Sequence, residues 1–178
     1  MIDNAFNVEI STHRLTLKSL NLADVTERYS DWLSDSSANQ FISSKLSLEE
    51  LKKYVLERTK RDDVLFLGIF NKADGLHIGN IKYEPVNFEK SYAIMGILIG
   101  DAAWRGREVA GEVILASASW LHKNKKINQI VLGVSKSNIA AIRAYRKIGF
   151  IEKSSRYISN LADGNITMVL DLNFLGAN

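Results

Sequence analysis

Residues 104–112, WRGREVAGE, place two glycines and two arginines between an apolar run and a helical pattern. A loop of this kind directs several backbone N–H groups towards one point, and the positive end of the following helix adds to their field. Arg105 and Arg107 would add cations, so the stretch predicts a binding site for a phosphate group. The alternative is an ordinary strand–helix connection with incidental arginines. The P-loop pattern and the dinucleotide pattern G-x-G-x-x-G are both absent, and Glu108 places a negative charge where a phosphate is expected.

A second stretch, residues 134–150, reads VSKSNIAAIRAYRKIGF. Asn138 stands at the start of a predicted helix, and Tyr145 follows seven residues later, so both side chains lie on one face of that helix. A phenol in that position can donate a proton to a leaving group. The plainer interpretations are a helix N-cap for Asn138 and core packing with a hydrated hydroxyl for Tyr145.

The pattern of apolar residues predicts seven strands and four helices around these two stretches. Strands are predicted at 14–18, 64–70, 76–84, 91–100, 130–134, 150–158 and 166–172, and helices at 21–33, 47–61, 109–123 and 139–148, with a polar loop over 34–46. Ser47 and Glu50 fit a capping box, and Gly149 is placed to end the last helix. The order of the elements indicates an α/β protein with a mixed sheet, forming a single domain over residues 1–178.

Composition narrows the class of protein. The chain has 178 residues, of which 46% are apolar, enough for one globular core. A net charge of +3 is too small to indicate a nucleic-acid partner. The lack of cysteine excludes disulfides, thiolate metal sites and a cysteine nucleophile. Residues 1–10 lack the apolar run of a signal peptide, and no run is long enough for a membrane helix. We therefore expect a soluble cytoplasmic protein without a metal or a membrane partner.

The two stretches, in this order, resemble the GNAT superfamily of N-acetyltransferases. Residues 105–110 are similar to its coenzyme A loop, [QR]-x-x-G-x-[GA], with Glu108 in the place of the glycine. The second stretch is similar to the family segment N-x-x-[AS]-x-x-x-Y-x-K-x-G-F. It matches at Asn138, Tyr145, Lys147, Gly149 and Phe150. The runs at 14–17, 31–33 and 79–81 resemble the branch that contains the ribosomal-protein-alanine acetyltransferases.

This resemblance implies a mixed, mostly antiparallel sheet of about seven strands flanked by about four helices, and acetyl-CoA as the acetyl donor. The pyrophosphate would lie on the backbone N–H groups of Arg105, Gly106, Arg107, Glu108, Val109 and Ala110. The pantetheine arm would pair like a strand with Ile97, Leu98 and Ile99. Asn138 would contact the pantetheine or the acetyl end, and Tyr145 would protonate the leaving thiolate. A homodimer is an arrangement that the branch allows.

Without cysteine, the favoured mechanism is direct attack of a neutral amine on the thioester, helped by positioning and by a backbone N–H that stabilises the oxyanion. The histidines, His13, His77 and His122, show no serine–acid constellation. The amine must lose a proton to a base or to water. Many relatives carry a glutamate in the strand before the loop, but Ile94 stands at the matching position. The candidates elsewhere are Glu84, Asp101 and Tyr83, and Glu84, at a strand end, is taken as the catalytic candidate.

The acceptor is a primary amine of a small molecule, such as an amino sugar, or of a protein N-terminus. Residues 34–46 and 159–165 are expected to build its side of the site. They show no dense acidic cluster, which weakens a polyamine interpretation. The alternative function is a catalytically weak or inactive CoA-binding or interaction domain of the same fold, suggested by Ile94 and Glu108.

Glu108 raises a specific expectation for the loop. A Cβ restricts left-handed backbone geometry, so the site is expected to be intact but weaker than with glycine. It can still work if position 108 is already helical and the side chain points to solvent.

Overall fold

The computed structural model describes residues 5–34, 46–158 and 161–174. Within these residues eight strands form one sheet in the order β1-β2-β3-β4-β5-β6-β8-β7. The strands are β1 (Glu9–Ser11), β2 (Leu15–Ser19), β3 (Leu65–Asn71), β4 (His77–Asn87), β5 (Tyr92–Ile99), β6 (Gln129–Ser135), β7 (Ile151–Glu152) and β8 (Asn165–Asp171). Every neighbouring pair is antiparallel except β5 and β6, which are parallel. The predicted mixed, mostly antiparallel sheet is confirmed. The additional strand is β1, which is too short to show an alternating pattern.

Four α-helices accompany the sheet in the described residues. They are α1 (Glu27–Ser34), α2 (Leu48–Thr59), α3 (Val109–Lys125) and α4 (Ile139–Ile148), with 3-10 turns at Leu22–Asp24, Ala102–Trp104 and Leu172–Phe174. The predicted caps are confirmed. Ser47 accepts a hydrogen bond from the N–H of Glu50 in a capping box, and Gly149 ends α4 with a left-handed φ of 112°.

Two predicted elements are wrong in extent. The helix predicted at 21–33 is interrupted, because Asn21 and Asp24 close a short 3-10 turn and α1 begins only at Glu27. The strand predicted at 150–158 keeps two residues, because the Ser155 hydroxyl accepts the N–H of Tyr157 and turns the chain. Most of the predicted loop 34–46 lies outside the described residues, as do 159 and 160 of the predicted acceptor turn.

The two faces of the sheet carry different helices. On one face, here called the α3 face, Ile81, Met95 and Leu132 pack into a large core with Val113 of α3. On the other, the α2 face, Phe66 packs against α1 and α2 in a smaller core. Because successive strand residues point to opposite faces, neighbours of the α3-face residues, such as Lys82, point to α2.

Candidate functional site

The parallel strands β5 and β6 separate after a short pairing. They are paired only from Tyr92 to Ile94 against residues 129–131, while β5 runs on to Ile99. On its other edge, β5 stays paired with β4 through Ile99. The edge of residues 95–99 that faces away from β4 is therefore open in the described structure. Gly96 lies on this segment, exposed, with no atom within 4 Å of the point where a Cβ would stand.

The loop after β5 leads into the N-terminus of α3. The backbone N–H groups of residues 106–111 donate no hydrogen bond of normal geometry to a described residue. The N–H of Glu112 is the first to bond within the helix, to the carbonyl of Glu108. Unpaired N–H groups at a helix N-terminus, added to the helix dipole, form a site that suits an anion. This is the geometry expected from the sequence of the loop.

Arg105 and Arg107 differ in what their side chains do. The Arg105 guanidinium donates to the carbonyls of Ile99 and Gly100, both at 2.9 Å, and so holds the loop against the end of β5. Arg107 is exposed, and its guanidinium lies 5.7 Å from the Trp104 ring. Arg105 therefore acts on the loop's own backbone, whereas Arg107 is directed to the surface.

Glu108 adopts a left-handed backbone, with φ 61° and ψ 17°. Position 108 is therefore not helical, and helix α3 begins at Val109, as predicted. The side chain points to the surface as expected and forms an ion pair with Lys147 of α4. The hydrogen bond and charge of Lys147 lower the pKa of Glu108. The carboxylate is thus directed to a cation outside the run of N–H groups.

A support for this loop comes from the far end of the chain, and no sequence signal indicated it. Glu112 of α3 accepts hydrogen bonds from the Thr12 hydroxyl at 2.6 Å, the Arg14 N–H at 3.0 Å and the Arg14 Nε at 2.8 Å. The Arg14 Nη2 also donates to the carbonyl of Arg107 at 3.0 Å. Arg14 therefore ties the first turn of α3 and the loop to the start of β2.

Asn138 and Tyr145 lie on α4, which begins at the same sheet edge as α3. The Asn138 side-chain oxygen caps α4 by accepting the N–H of Ala141 at 3.1 Å. This oxygen therefore acts as a helix N-cap, the plainer of the two interpretations of Asn138. Tyr145 packs against the α3-face core, with its ring centroid 5.6 Å from that of Phe150. Burial raises the pKa of Tyr145 to about 12, so its phenol keeps its proton at neutral pH.

Glu84 lies on the α2 face within a group of cations. Its carboxylate pairs with Arg58 at 3.1 Å, Arg61 at 2.5 Å and Lys82 at 2.6 Å. Tyr54 of α2 completes the group, since its hydroxyl accepts a hydrogen bond from Lys82 at 2.6 Å. Partial burial acts to raise the pKa of Glu84, but the hydrogen bonds and charges of Lys82 and Arg58 outweigh it and the pKa is lowered.

A comparison with known protein families identifies the family of this chain. Residues 14–151 match the acetyltransferase (GNAT) domain family. The chain belongs to the GNAT acetyltransferase family. The prediction made from the two motifs is therefore confirmed, and the protein is an acetyltransferase. It is 24% identical over 157 residues to the N-acetyltransferase 9-like protein of Caenorhabditis briggsae, covering 81% of this chain and 78% of that protein.

Solved acetyltransferase structures share the fold at low sequence identity. A spermidine N-acetyltransferase chimera from Vibrio cholerae superposes with a TM-score of 0.80 at 16% identity, over 93% of this chain and 99% of that one. An aminoglycoside acetyltransferase in complex with coenzyme A superposes with a TM-score of 0.71 at 19% identity, over 89% and 95%. A ribosomal-protein-S5-alanine acetyltransferase from Vibrio fischeri superposes with a TM-score of 0.73 at 14% identity, over 92% of this chain and 96% of that one.

The other base candidates of this acetyltransferase are engaged elsewhere. Tyr83 is fully buried on the α3 face, 2.8 Å from the Ser117 hydroxyl, and burial raises its pKa. Asp101 caps the 3-10 turn through the N–H of Ala103 and pairs with Arg28 of α1 at 2.6 Å. Asp101 is therefore held in an ion pair, as Glu84 is by three cations, and these contacts do not single out one of the carboxylates as a base.

His77 forms a buried polar pair with Asn80 on the α2 face. Its ring stacks on Phe70 at 4.7 Å and meets the Trp32 ring at 5.0 Å. Its Nε2 lies 3.0 Å from the Gly79 carbonyl and 2.9 Å from the Asn80 Oδ1, so Nε2 carries the hydrogen. Burial lowers the pKa of His77. His77 therefore packs as a neutral side chain beneath α1.

Metal-binding and membrane-spanning features are both lacking in the part of the acetyltransferase that the structure describes. Its residues contain no group of three His, Asp or Glu side chains placed to hold a metal ion. Its helices include none that is long and apolar enough to cross a membrane.

Proposed function

We propose that this acetyltransferase moves the acetyl group of acetyl-CoA directly to a primary amine. The observation that carries the proposal is the run of unpaired N–H groups at residues 106–111 beside the open edge of β5. A pyrophosphate is the part of acetyl-CoA that such a run suits. The coenzyme A complex of a protein with the same fold supports this choice of donor.

The open edge of β5 suits the pantetheine arm. Its amides need hydrogen-bond partners along an extended path, and the free backbone groups near Ile97, Leu98 and Ile99 provide such a path. Asn138 keeps its side-chain N–H₂ free of any described partner after capping α4, and we assign that group to the pantetheine or the acetyl end.

The reaction itself is a direct transfer. The amine nitrogen attacks the thioester carbon, the C–N bond forms, and the C–S bond breaks to release the CoA thiolate. We assign the proton for that thiolate to Tyr145 because it stands at the position of the tyrosine in the family segment, and its phenol carries a proton at neutral pH. The attacking amine loses its own proton to a base or to water.

Glu84 stays the candidate for the base, acting through water. Its ion pairs keep it ionised over the neutral range, but a carboxylate with a lowered pKa takes a proton only weakly. We expect Glu84→Gln to lower the rate most near neutral pH, where most of the acceptor amine still carries the proton that a base must remove. An unchanged pH profile would remove Glu84 from this role.

Two glycines of equal geometry test the coenzyme loop. Gly106 and Gly75 both have φ 72°, and neither has an atom within 4 Å of the point where a Cβ would stand, so alanine strains the backbone equally at both. Gly75 lies in the turn between β3 and β4. We expect both alanine variants to lose similar stability, but only Gly106→Ala to weaken acetyl-CoA binding measured by calorimetry. Equal affinity in the two variants would contradict the loop assignment.

Turnover is tested by release of the CoA thiol with a panel of amines. Tyr145→Phe should lower kcat about 100-fold with little change in acetyl-CoA affinity, since a positioned acid contributes about that much. An unchanged chemical rate would exclude Tyr145 as the acid. Binding of acetyl-CoA without turnover on the whole panel would favour the alternative function, a non-catalytic CoA-binding domain.

A further inference from the structure

A cleft of about 230 Å³ opens beside β6 and β8. It is lined by Gln129, Lys153, Ser154, Ser155, Arg156, Tyr157 and Val169. The neighbours of Val169 along β8, Met168 and Leu170, belong to the α3-face core, so Val169 points to the opposite, α2 face. The cleft therefore opens on the same face as Glu84 and its cations.

The cleft lies close to the point where β5 and β6 separate. Val169 pairs with Val131, and Val131 pairs with Ile94, the last paired residue of β5. Two strand spacings therefore lie between the cleft wall and the separation point, a distance of about 10 Å. The Tyr157 ring stacks on the Tyr92 ring of β5, with their centroids 3.7 Å apart. This contact holds the segment 153–157, which lines the cleft, over these strands.

The charge of the cleft is positive. Neither Lys153 nor Arg156 forms an ion pair with a described residue, and no acidic side chain is among the lining residues. Among the described residues, the Arg156 guanidinium donates one hydrogen bond, to the Tyr157 hydroxyl at 3.4 Å. The carboxylate nearest along β8, that of Asp171, accepts hydrogen bonds from the N–H and the side-chain amide of Asn173. Two cations and the Ser154 hydroxyl are thus placed to receive an anionic group.

Cations also outnumber carboxylates on the other side of the separation point. Arg58, Arg61 and Lys82 share the carboxylate of Glu84, and Arg61 also binds Asp63 at 2.8 Å. Three positive charges therefore face two negative ones. A polycationic acceptor would meet repulsion on both sides, whereas an acidic acceptor would be attracted.

We propose that the Lys153–Arg156 cleft binds the carboxylate of an acidic residue at the second or third position of a peptide whose N-terminal amine is acetylated. The inference rests on the proposed function. An extended peptide advances about 3.3 Å per residue, so a side chain two residues from the amine reaches across the distance of about 10 Å. Both cations offer the charge-assisted hydrogen bonds that a carboxylate accepts most strongly.

The experiment compares three peptides that share their reactive amine. They are Ala-Glu-Glu-Gly-Tyr-amide, Ala-Gln-Gln-Gly-Tyr-amide and Ala-Lys-Lys-Gly-Tyr-amide, with spermidine as a polycationic acceptor. The readout is kcat/KM from release of the CoA thiol. We expect the acidic peptide to exceed its glutamine isostere about 10-fold, with spermidine and the lysine peptide lowest, since a hydrogen bond to a charged group contributes about that much. The preference should shrink as salt is added.

The variant that removes the cleft's charge is Lys153→Gln with Arg156→Gln. It should bring the acidic and glutamine peptides within about 3-fold of each other, chiefly through KM, while acetyl-CoA affinity stays unchanged. The control is Lys90→Gln with Lys123→Gln, two exposed lysines in the β4–β5 turn and on α3 that lose the same charge elsewhere. The control should keep the full preference for the acidic peptide.

The outcomes separate the two proposals. Equal rates on the glutamate and glutamine peptides would overturn the cleft assignment while leaving the acetyltransferase function intact. Preference for spermidine, or a preference for the acidic peptide that survives in the cleft variant, would overturn it as well. Bound acetyl-CoA with no thiol release on any acceptor would instead contradict the proposed function.

Discussion

The loop of residues 105–111, which we assign to the coenzyme, and the α2 face meet at the same pair of strands but are assembled in different ways. The loop is one continuous stretch, and its unpaired groups belong to the backbone of residues 106–111. The charged groups of the α2 face are side chains from separate segments, with Arg58 on α2, Lys82 and Glu84 on β4, and Lys153 after β7. A site made of backbone groups keeps its ligand when side chains change. A site made of side chains changes its preference among ligands when one side chain is replaced.

The variant with the largest expected effect disturbs the pairing of β4 with β5, which supports both regions. A Cβ at Gly79 of β4 would lie 2.3 Å from the backbone carbonyl oxygen of Leu98, in the strand paired with it. Since that oxygen cannot move without β5, Gly79→Ala should lower the free energy of unfolding by about 3 kcal/mol, with loss of acetyl-CoA binding and turnover. Thermal unfolding is the measurement. The control is Gly96→Ala on β5, where nothing is near, and an equal loss in both would contradict this account.

The next variant separates the regions by acting on the loop alone. Arg14→Gln removes the hydrogen bonds to Glu112 and to the carbonyl of Arg107. We expect stability to fall by about 1 kcal/mol, because the pair is partly exposed, and the Kd for acetyl-CoA to rise several-fold. The KM for the amine should stay unchanged. The control is Lys53→Gln, which removes an exposed ion pair on α2. A change in the KM for the amine in Arg14→Gln would contradict the assignment of Arg14 to the loop alone.

Glu108→Gly tests how far the side chain limits a backbone site. Glycine adopts the left-handed conformation of position 108 without strain, so Tm should rise by about 2 °C and acetyl-CoA should bind more tightly. Lys147→Gln is the matched control, since it breaks the same ion pair and leaves the left-handed glutamate in place. Unchanged or poorer acetyl-CoA affinity in Glu108→Gly would count against a weakened loop.

The smallest expected effect concerns pH on the α2 side. The folded pKa of His77 lies below its unfolded value of about 6.5, so its contribution to stability is complete above that pH and is lost as the pH falls towards the folded pKa. The protection factors of the α1 amides against hydrogen exchange should therefore fall more than those of α3 as the pH is lowered from about 7.5 to 5.5. His77→Gln should remove that excess, and His13→Gln, at an exposed site, should keep it.

The same contrast explains how much could be predicted. The loop and the α4 segment were predictable because strand, glycine and helix start stand within one short stretch, where spacing fixes geometry. The left-handed backbone of Glu108 was suggested only by the glycine that the family has at this position, because a glutamate by itself disfavours that conformation. Arg14 and Glu112 are 98 residues apart, and Arg58 and Glu84 are 26 apart, so nothing local indicated either pair.

The shortened β7 shows the limit of alternating patterns. Residues 150–158 alternate well enough to predict a strand, but a hydroxyl within the run competed with the ladder by accepting a backbone N–H, and the chain turned onto Tyr92. The cleft that carries our inference exists because of this departure. A prediction from pattern alone therefore missed the part of the molecule to which we assign acceptor choice.

Gly96 makes this architecture easy to diversify. Nothing lies within 4 Å of the place where its Cβ would stand, and its backbone is not left-handed, so a side chain can be added at this position without a clash at its Cβ. Descendants of this chain could therefore alter the shape of the opening between β5 and β6 by single substitutions that cost little folding free energy. The fold would serve as a constant frame, and selection for a new amine could begin at one residue.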